Sequence, residues 1–468
     1  MKLYRNAIIL VVIVALLVGA YFVISKYKPA DQSTTDTGPD TIKLTNYIST
    51  DIASLTLENP DGTFVIEPSG SDWVLASPTD IRYDSSLLSS IVINASSVIA
   101  DKVIEDNPKD LALYGLDKPK KATVSDKSGK STTLEIGSLT PTKSAYYVKT
   151  ADKNTVYIVS TYTGDYLVTG KNGLRLKTPY TVTSDMITSL AMDRNGSNLF
   201  TATRDANKTD WSMNKPISAG VNGSALTPML DALSQTNILN FVEDKPTDLA
   251  QYGLDKPAYV FDFSTTTAGA FKLELGDEKV KGSEMYAKLA GNDEVFTIDP
   301  SKYTFLDKPL KEIVNVFAYI VNIDEVKAID LTMDGKTTHM TVDTYKDANG
   351  KTDSDKDKFT VNGVDATGKD KDDNQPFRTF YQALIGITLD DIYIDAKPTG
   401  PADLTIDYTL KTGKMKVEYI SKDINYYYVV RNGEYAGILV KKNKDDYGVI
   451  GMKKTYKTMM DFLANQGK

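Results

Sequence analysis

The sequence predicts an α+β fold: an N-terminal transmembrane helix followed by three tandem repeat units, each a mainly antiparallel sheet with a packed amphipathic helix. Three observations carry that expectation. One long apolar run opens the chain, a nine-residue motif occurs twice at a fixed offset, and short alternating segments recur around an amphipathic stretch. With 468 residues, the chain is long enough for roughly three domains of about 100–200 residues each.

The first element is the apolar run. Ala7 to Ile24 reads AIILVVIVALLVGAYFVI, long enough to cross the hydrocarbon core as a helix. Lys2 and Arg5 precede it, which keeps the short tail in the cytoplasm and sends the bulk of the chain outside, although Lys26 and Lys28 weaken the asymmetry. Residues 1–28 therefore read as a single-pass anchor in the cytoplasmic membrane. Val18-Gly19-Ala20 loosely resembles a cleavage site, so a cleaved signal peptide is the alternative. Residues 29–43 read as a polar linker; its Thr, Asp and Pro content cannot bury a core.

Composition narrows the chemistry. Apolar residues at 41% and charged residues at 25% fit a folded globular chain. A net charge of -8 makes nucleic acid a poor partner. The absence of Cys excludes disulfides, thiol nucleophiles, Cys-ligated metals and a lipidated N-terminal Cys. His339 is the only histidine, which excludes multi-histidine catalysis and metal sites; on a single strand between Leu331 and Val342 it is given no role.

The repeat supplies the next elements. Leu111–Pro119, LALYGLDKP, recurs as Leu249–Pro257, LAQYGLDKP, and Asp72-Trp73 recurs as Asp210-Trp211, all at an offset of 138. One inserted residue later, Leu134–Gly137 matches Leu273–Gly276 and Tyr147 matches Tyr286 at an offset of 139. A third, diverged copy follows: Pro401-Ala402 matches Pro257-Ala258, and Met415–Glu418 matches Phe271–Glu274, at an offset of 144. The units are read as 44–182, 183–320 and 321–468. The third lacks both Trp and YGLDKP, as a terminal cap of an array or a copy with a different surface would.

Within a unit, alternation such as Leu55-Thr56-Leu57 and Phe64-Val65-Ile66 predicts an antiparallel meander. A helix capped by Asp84 follows, with Leu88, Ile91, Val92 and Ala95 on one face. Leu226, Met229, Leu230 and Leu233 repeat that stripe, with Pro228 expected to delay the second helix by a turn, and Phe377, Phe380, Tyr381 and Leu384 supply it in the third unit. The YGLDKP motif reads as a stop signal: Asp110 or Asp248 caps a short turn, Gly115 or Gly253 takes the left-handed conformation, and Pro119 or Pro257 blocks continuation. Tyr114 and Tyr252 are expected to pack under the turn with the hydroxyl on a backbone group. Trp73, Tyr114, Gly115, Asp117 and Pro119, with Trp211, Tyr252, Gly253, Asp255 and Pro257, are thus structural motif residues.

A Trp strand, a helix, the Leu-x-x-Tyr-Gly-Leu-Asp-x-Pro turn, a Leu-Glu-Ile-Gly strand and a Tyr-Tyr-Val hairpin, in that order, resemble the bacterial family called domain of unknown function 4340. Two clear copies span about Leu44 to Leu310. The resemblance implies an anchor in the bacterial cell membrane and association with ABC-type transport systems related to gliding-motility exporters. It brings no established activity and no catalytic residues.

Two further surfaces could carry function. Residues 343–375 are rich in Asp and Asn oxygens, and Asp347, Asn349 and Asp353 fit calcium-loop ligand positions about Gly350, but Tyr345 and Lys356 stand where carboxylates are needed. Solvated hairpin loops are the plainer reading. Tyrosine is abundant, at 28 residues, and Tyr426-Tyr427-Tyr428 is a possible binding surface, since alternate residues face opposite sides of a strand. No nucleotide-binding or nucleophile-elbow motif is present. The expectation is a membrane-anchored, extracytoplasmic accessory or scaffold protein, non-catalytic and without cofactors, with ABC-type transporter subunits or other envelope proteins as partners. The alternative is a substrate- or glycan-binding protein using clefts between units.

Overall fold

The structure, a computed structural model, describes residues 41–444 and 446–466. The expected anchor at 1–28 and most of the linker lie outside the described residues. The linker's end is corrected: Ile42–Lys43 is a strand paired with Ile99–Ala100, so the fold begins earlier than residue 44. No helix among the described residues is long and apolar enough to cross a membrane. The chain divides into two compact units between Arg175 and Leu176.

The unit up to Arg175 is built on an eight-stranded antiparallel sheet, sheet I. Its strand order is 72–77, 62–69, 52–59, 120–126, 131–139, 145–150, 155–160 and 102–106. Two meanders thus meet at the pair 52–59 and 120–126, and helix α1, Ser85–Ser96, links the first meander to the far edge strand. Asp84 caps α1 by accepting from the amides of Ser86 at 2.9 Å and Leu87 at 3.2 Å. Leu88, Ile91, Val92 and Ala95 are fully buried against strand residues such as Leu55, Ile66, Leu134, Ile136 and Val148. Alternation places those strand side chains on one face, so the helix covers the inner face only.

The unit from Leu176 contains two nine-stranded sheets of the same order. Sheet II runs from 219–220 to 240–243, and sheet III from 364–365 to 391–392. Helix α2, Gly223–Ser234, covers sheet II, and α3, Pro376–Ile385, covers sheet III. Pro228 does not delay α2: Asn222 caps the helix by accepting from Ser224, and Pro228 lies inside it. Ala225 and Leu226 before the proline are buried, and their packing outweighs the backbone hydrogen bond that Pro228 cannot donate. A helix not anticipated from the sequence, α4, Val449–Asn465, packs on α3, with Tyr456 edge-on to Phe380 at 5.6 Å. The second and third sheets share one hydrophobic core. Arg431 of sheet III ties that core together by donating to the carbonyls of Ala318 and Ser218.

Candidate functional site

The strand order dictates what covers the other face of each sheet. In sheet I the chain leaves the far edge at 102–106 and must return to the centre at 120–126, and α1 already occupies the inner face. The connection crosses on the outer face, and the YGLDKP motif is that crossing. Asp110 accepts from the Ala112 amide at 2.9 Å, and Gly115 ends the turn at φ 64°. In sheet II, Asp248 accepts from Ala250 at 2.9 Å, and Gly253 adopts φ 66°.

The turn then docks through a repeated set of contacts. Tyr114 meets Tyr147 edge-on at 5.0 Å, and Tyr252 meets Tyr286 at 4.9 Å. Their hydroxyls donate to carboxylates, correcting the expected backbone partner: Tyr114 to Glu105, and Tyr252 to Glu243 at 2.6 Å. That bond pushes the Tyr252 hydroxyl up to about 12, with burial and the Glu243 charge adding to it. Gly137 and Gly276, the glycines of the Leu-Glu-x-Gly strands, lie directly beneath the turn, where a β-carbon would collide with the carbonyl oxygen of Tyr114 or Tyr252. Asp117 and Asp255 are exposed beyond the turn, and Pro119 and Pro257 are half-buried just before the next strand. Trp73 and Trp211 pack at the rims of the two cores.

Among the described residues, sheet III has no such turn. Glu105 to Pro119 and Glu243 to Pro257 are each fourteen positions apart, whereas the equivalent Tyr393 to Pro401 is eight. The shorter connection can span the strands when extended, but it has no length for a turn. The ladders fix the equivalences: Ile420 pairs with Tyr428 where Gly276 lies beside Tyr286, and Tyr393 bonds Gly437 where Glu243 pairs with Val295. Tyr428 thus occupies the position of Tyr147 and Tyr286, which pack against the turn tyrosines. Ile420 fills the glycine groove, and Tyr393 replaces the glutamate.

The result is an aromatic surface. Tyr428 is half-buried between Tyr435, edge-on at 5.5 Å, and Tyr393 at 6.5 Å. The Tyr435 hydroxyl donates to the Tyr393 carbonyl at 2.6 Å. Tyr393 is 45% exposed, and Ile394 at 47% and Ile424 at 83% flank it along the chain and in the adjoining hairpin. The Lys422 ammonium lies over the rings of Tyr393 and Tyr426 and pairs with Asp423 at 2.7 Å, which raises the pKa of the lysine. A hydrogen bond to Asp390 raises the Tyr426 hydroxyl. Of the three consecutive tyrosines, Tyr426 and Tyr428 belong to this surface. Tyr427 does not: it points into the core, 8% exposed and edge-on to Tyr419.

The acidic segment is organised differently. Asp347 accepts from the amides of Asn349 at 2.9 Å and Lys351 at 2.8 Å, shaping a hairpin at Gly350. Asp353 caps the turn Ser354–Lys356 and pairs with Lys356 at 3.0 Å. Among the described residues, no group of three or more His, Asp or Glu side chains is placed to hold a metal ion. His339 lies exposed on the outer face of sheet III, 2.6 Å from Asp330. Tyr393 and Tyr435 were not marked by the sequence. The signal that could have found them is the shortened connection before Pro401, which becomes meaningful only with the strand order.

No curated protein matches the chain, and no solved structure does. A family model matches residues 73–210 and again 211–405, so that each matched segment opens on one of the two tryptophans and the tyrosines at 426–435 lie beyond the second. With the repeated sheet and the docked YGLDKP turn on the same residues, the chain belongs to the family described as Domain of unknown function (DUF4340).

Proposed function

We propose that the chain is a membrane-anchored, extracytoplasmic accessory protein that holds its repeat units beside an ABC-type transporter or another complex of the bacterial envelope. The role is non-catalytic: the protein supplies surface. The observation that carries this reading is the asymmetry among the sheets: two pack the outer-face tyrosine against the tyrosine of their own turn, whereas the third packs it against Tyr435 and the 45% exposed Tyr393. Tyrosine clusters of this kind suit partner binding because they offer large contact area at low entropic cost. The apolar run Ala7–Ile24 supports the anchor, and a short tether would keep the units at high effective concentration near a membrane partner.

The test is crosslinking in native membranes, followed by purification of the full chain and mass spectrometry of what accompanies it. Stoichiometric recovery of transporter or envelope subunits, lost when residues 1–40 are removed, is the expected result. Recovery of the chain alone contradicts the accessory role. A second reading, a glycan-binding protein, draws on the same rings, because tyrosine faces also stack on sugars. It predicts saccharide binding that Tyr428→Ala removes in the absence of any protein partner.

A further inference from the structure

The unit up to Arg175 contains a pocket of about 350 Å³, the size of a small-ligand site. It opens where the chain enters the fold, with the segment 42–44 forming one wall and the ends of strands 131–139 and 145–150 the other. Its mouth carries Lys43, Lys153, Asp152 and Ser131, all exposed, and its floor carries Thr150 and Tyr157, both buried.

Thr150 is the anomaly. The residue is 6% exposed, and among the described residues its hydroxyl has no hydrogen-bond partner of acceptable geometry. Neighbouring hydroxyls on the same wall are engaged within the protein: Thr132 with Tyr47 at 2.7 Å, and Thr133 with Thr123 at 2.9 Å. Thr150 lies close enough to Asp152 to help hold that carboxylate below its usual range, but it makes no proper bond to it. A buried hydroxyl without a partner is destabilising, and a ligand in the pocket would satisfy it.

The charges select the ligand. Two ammonium groups face one carboxylate at the mouth, a net charge of +1 from Lys43, Lys153 and Asp152, which repels simple cations and attracts a compact anion. Lysine ammonium groups suit phosphate as point charges, hydroxyls donate to its oxygens, and a carboxylate accepts from a ligand hydroxyl. We propose that this pocket binds a phosphate-bearing polyol of glycerol phosphate type. Lys43 and Lys153 hold the phosphate, Thr150 donates to one of its oxygens, and Asp152 accepts from a polyol hydroxyl. The ligand is either a free glycerol phosphate or a phosphatidylglycerol headgroup. Only the second source rests on the anchor reading, under which the pocket would be held near the bilayer.

The experiment uses the full chain in nanodiscs and reads protection of the Lys43 and Lys153 amines from acetylation by mass spectrometry. In phosphatidylcholine discs, sn-glycerol 3-phosphate at millimolar concentration should slow modification of both lysines at least fivefold while leaving Lys208 unchanged. Protection by added phosphatidylglycerol without soluble ligand assigns the lipid source; protection by the soluble compound alone assigns the free one. Thr150→Val should reduce the protection about tenfold in ligand affinity without lowering the melting temperature, and Lys43→Gln with Lys153→Gln should abolish binding measured by calorimetry. Absence of protection by either probe overturns the proposal, as does Thr150→Val binding as tightly as the parent chain. Neither result depends on recovery of a protein partner, so this proposal and the accessory role fail separately.

Discussion

Gly137 and Gly276 explain why the family motif pairs a Leu-Glu-x-Gly strand with a distant YGLDKP turn. Each glycine lets the turn's tyrosine carbonyl approach the sheet, and any side chain there would push the turn off. Gly276→Ala should therefore destabilise the unit from Leu176 by about 1–3 kcal/mol, read by denaturant unfolding, because the neighbour it meets is backbone that cannot rotate away. The bond from Tyr252 to Glu243 makes a pH prediction with a definite sign. Its folded pKa is raised to about 12 from an ordinary value of about 10. The neutral phenol is favoured in the folded state, so the contribution is full below about pH 10 and is lost as pH rises toward about 12. Tyr252→Phe should flatten the decline of stability across that window while leaving stability near pH 7 only modestly reduced. A decline as steep as in the parent chain would place the titrating group elsewhere.

At the scale of elements, the sequence was informative where period and capping act locally. The stripes Leu88–Ala95 and Phe377–Leu384 are buried, and Asp84 and Asp110 cap the turns they precede. What remained hidden was set by tertiary contact. Pro228 sits inside α2 because Ala225, Leu226 and Met229 are buried together, a gain invisible to local propensity. Pro228→Ala should therefore stabilise the protein, by about 1–3 kcal/mol in thermal or denaturant unfolding, since alanine restores a helix bond without changing the buried stripe. No gain would mean that the proline ring packs in a way alanine cannot replace. Helix α4 was legible in principle: Val449, Met452 and Met459 are buried at helical spacing, beyond the segments that the repeat pairs with one another. The tyrosine surface was half legible. Alternation separates Tyr427 from its neighbours, but Tyr393 and Tyr435 join the surface only through strand pairing across the sheet.

For the whole molecule, the three related sheets contrast with two large hydrophobic cores among the described residues, one up to Arg175 and one that sheets II and III share, besides a small cluster of Tyr252, Leu254 and Val295 under the second turn. Offsets in a sequence reveal copies but not which copies exchange side chains. Separate cores predict two calorimetric transitions, with Gly137→Ala lowering one midpoint and Gly276→Ala the other; a single transition moved equally by both would contradict that division. The accessory role turns on the outer face of sheet III. Its most direct test is a photo-crosslinking residue placed at Tyr428 of the full chain in native membranes, with the same residue at Tyr286, which packs against its own turn, as control. A discrete, protease-sensitive adduct is expected at 428, absent at 286 and lost with Tyr393→Ala. Equal labelling at both positions, or none at 428, would contradict the claim that the third sheet presents its tyrosines to a partner.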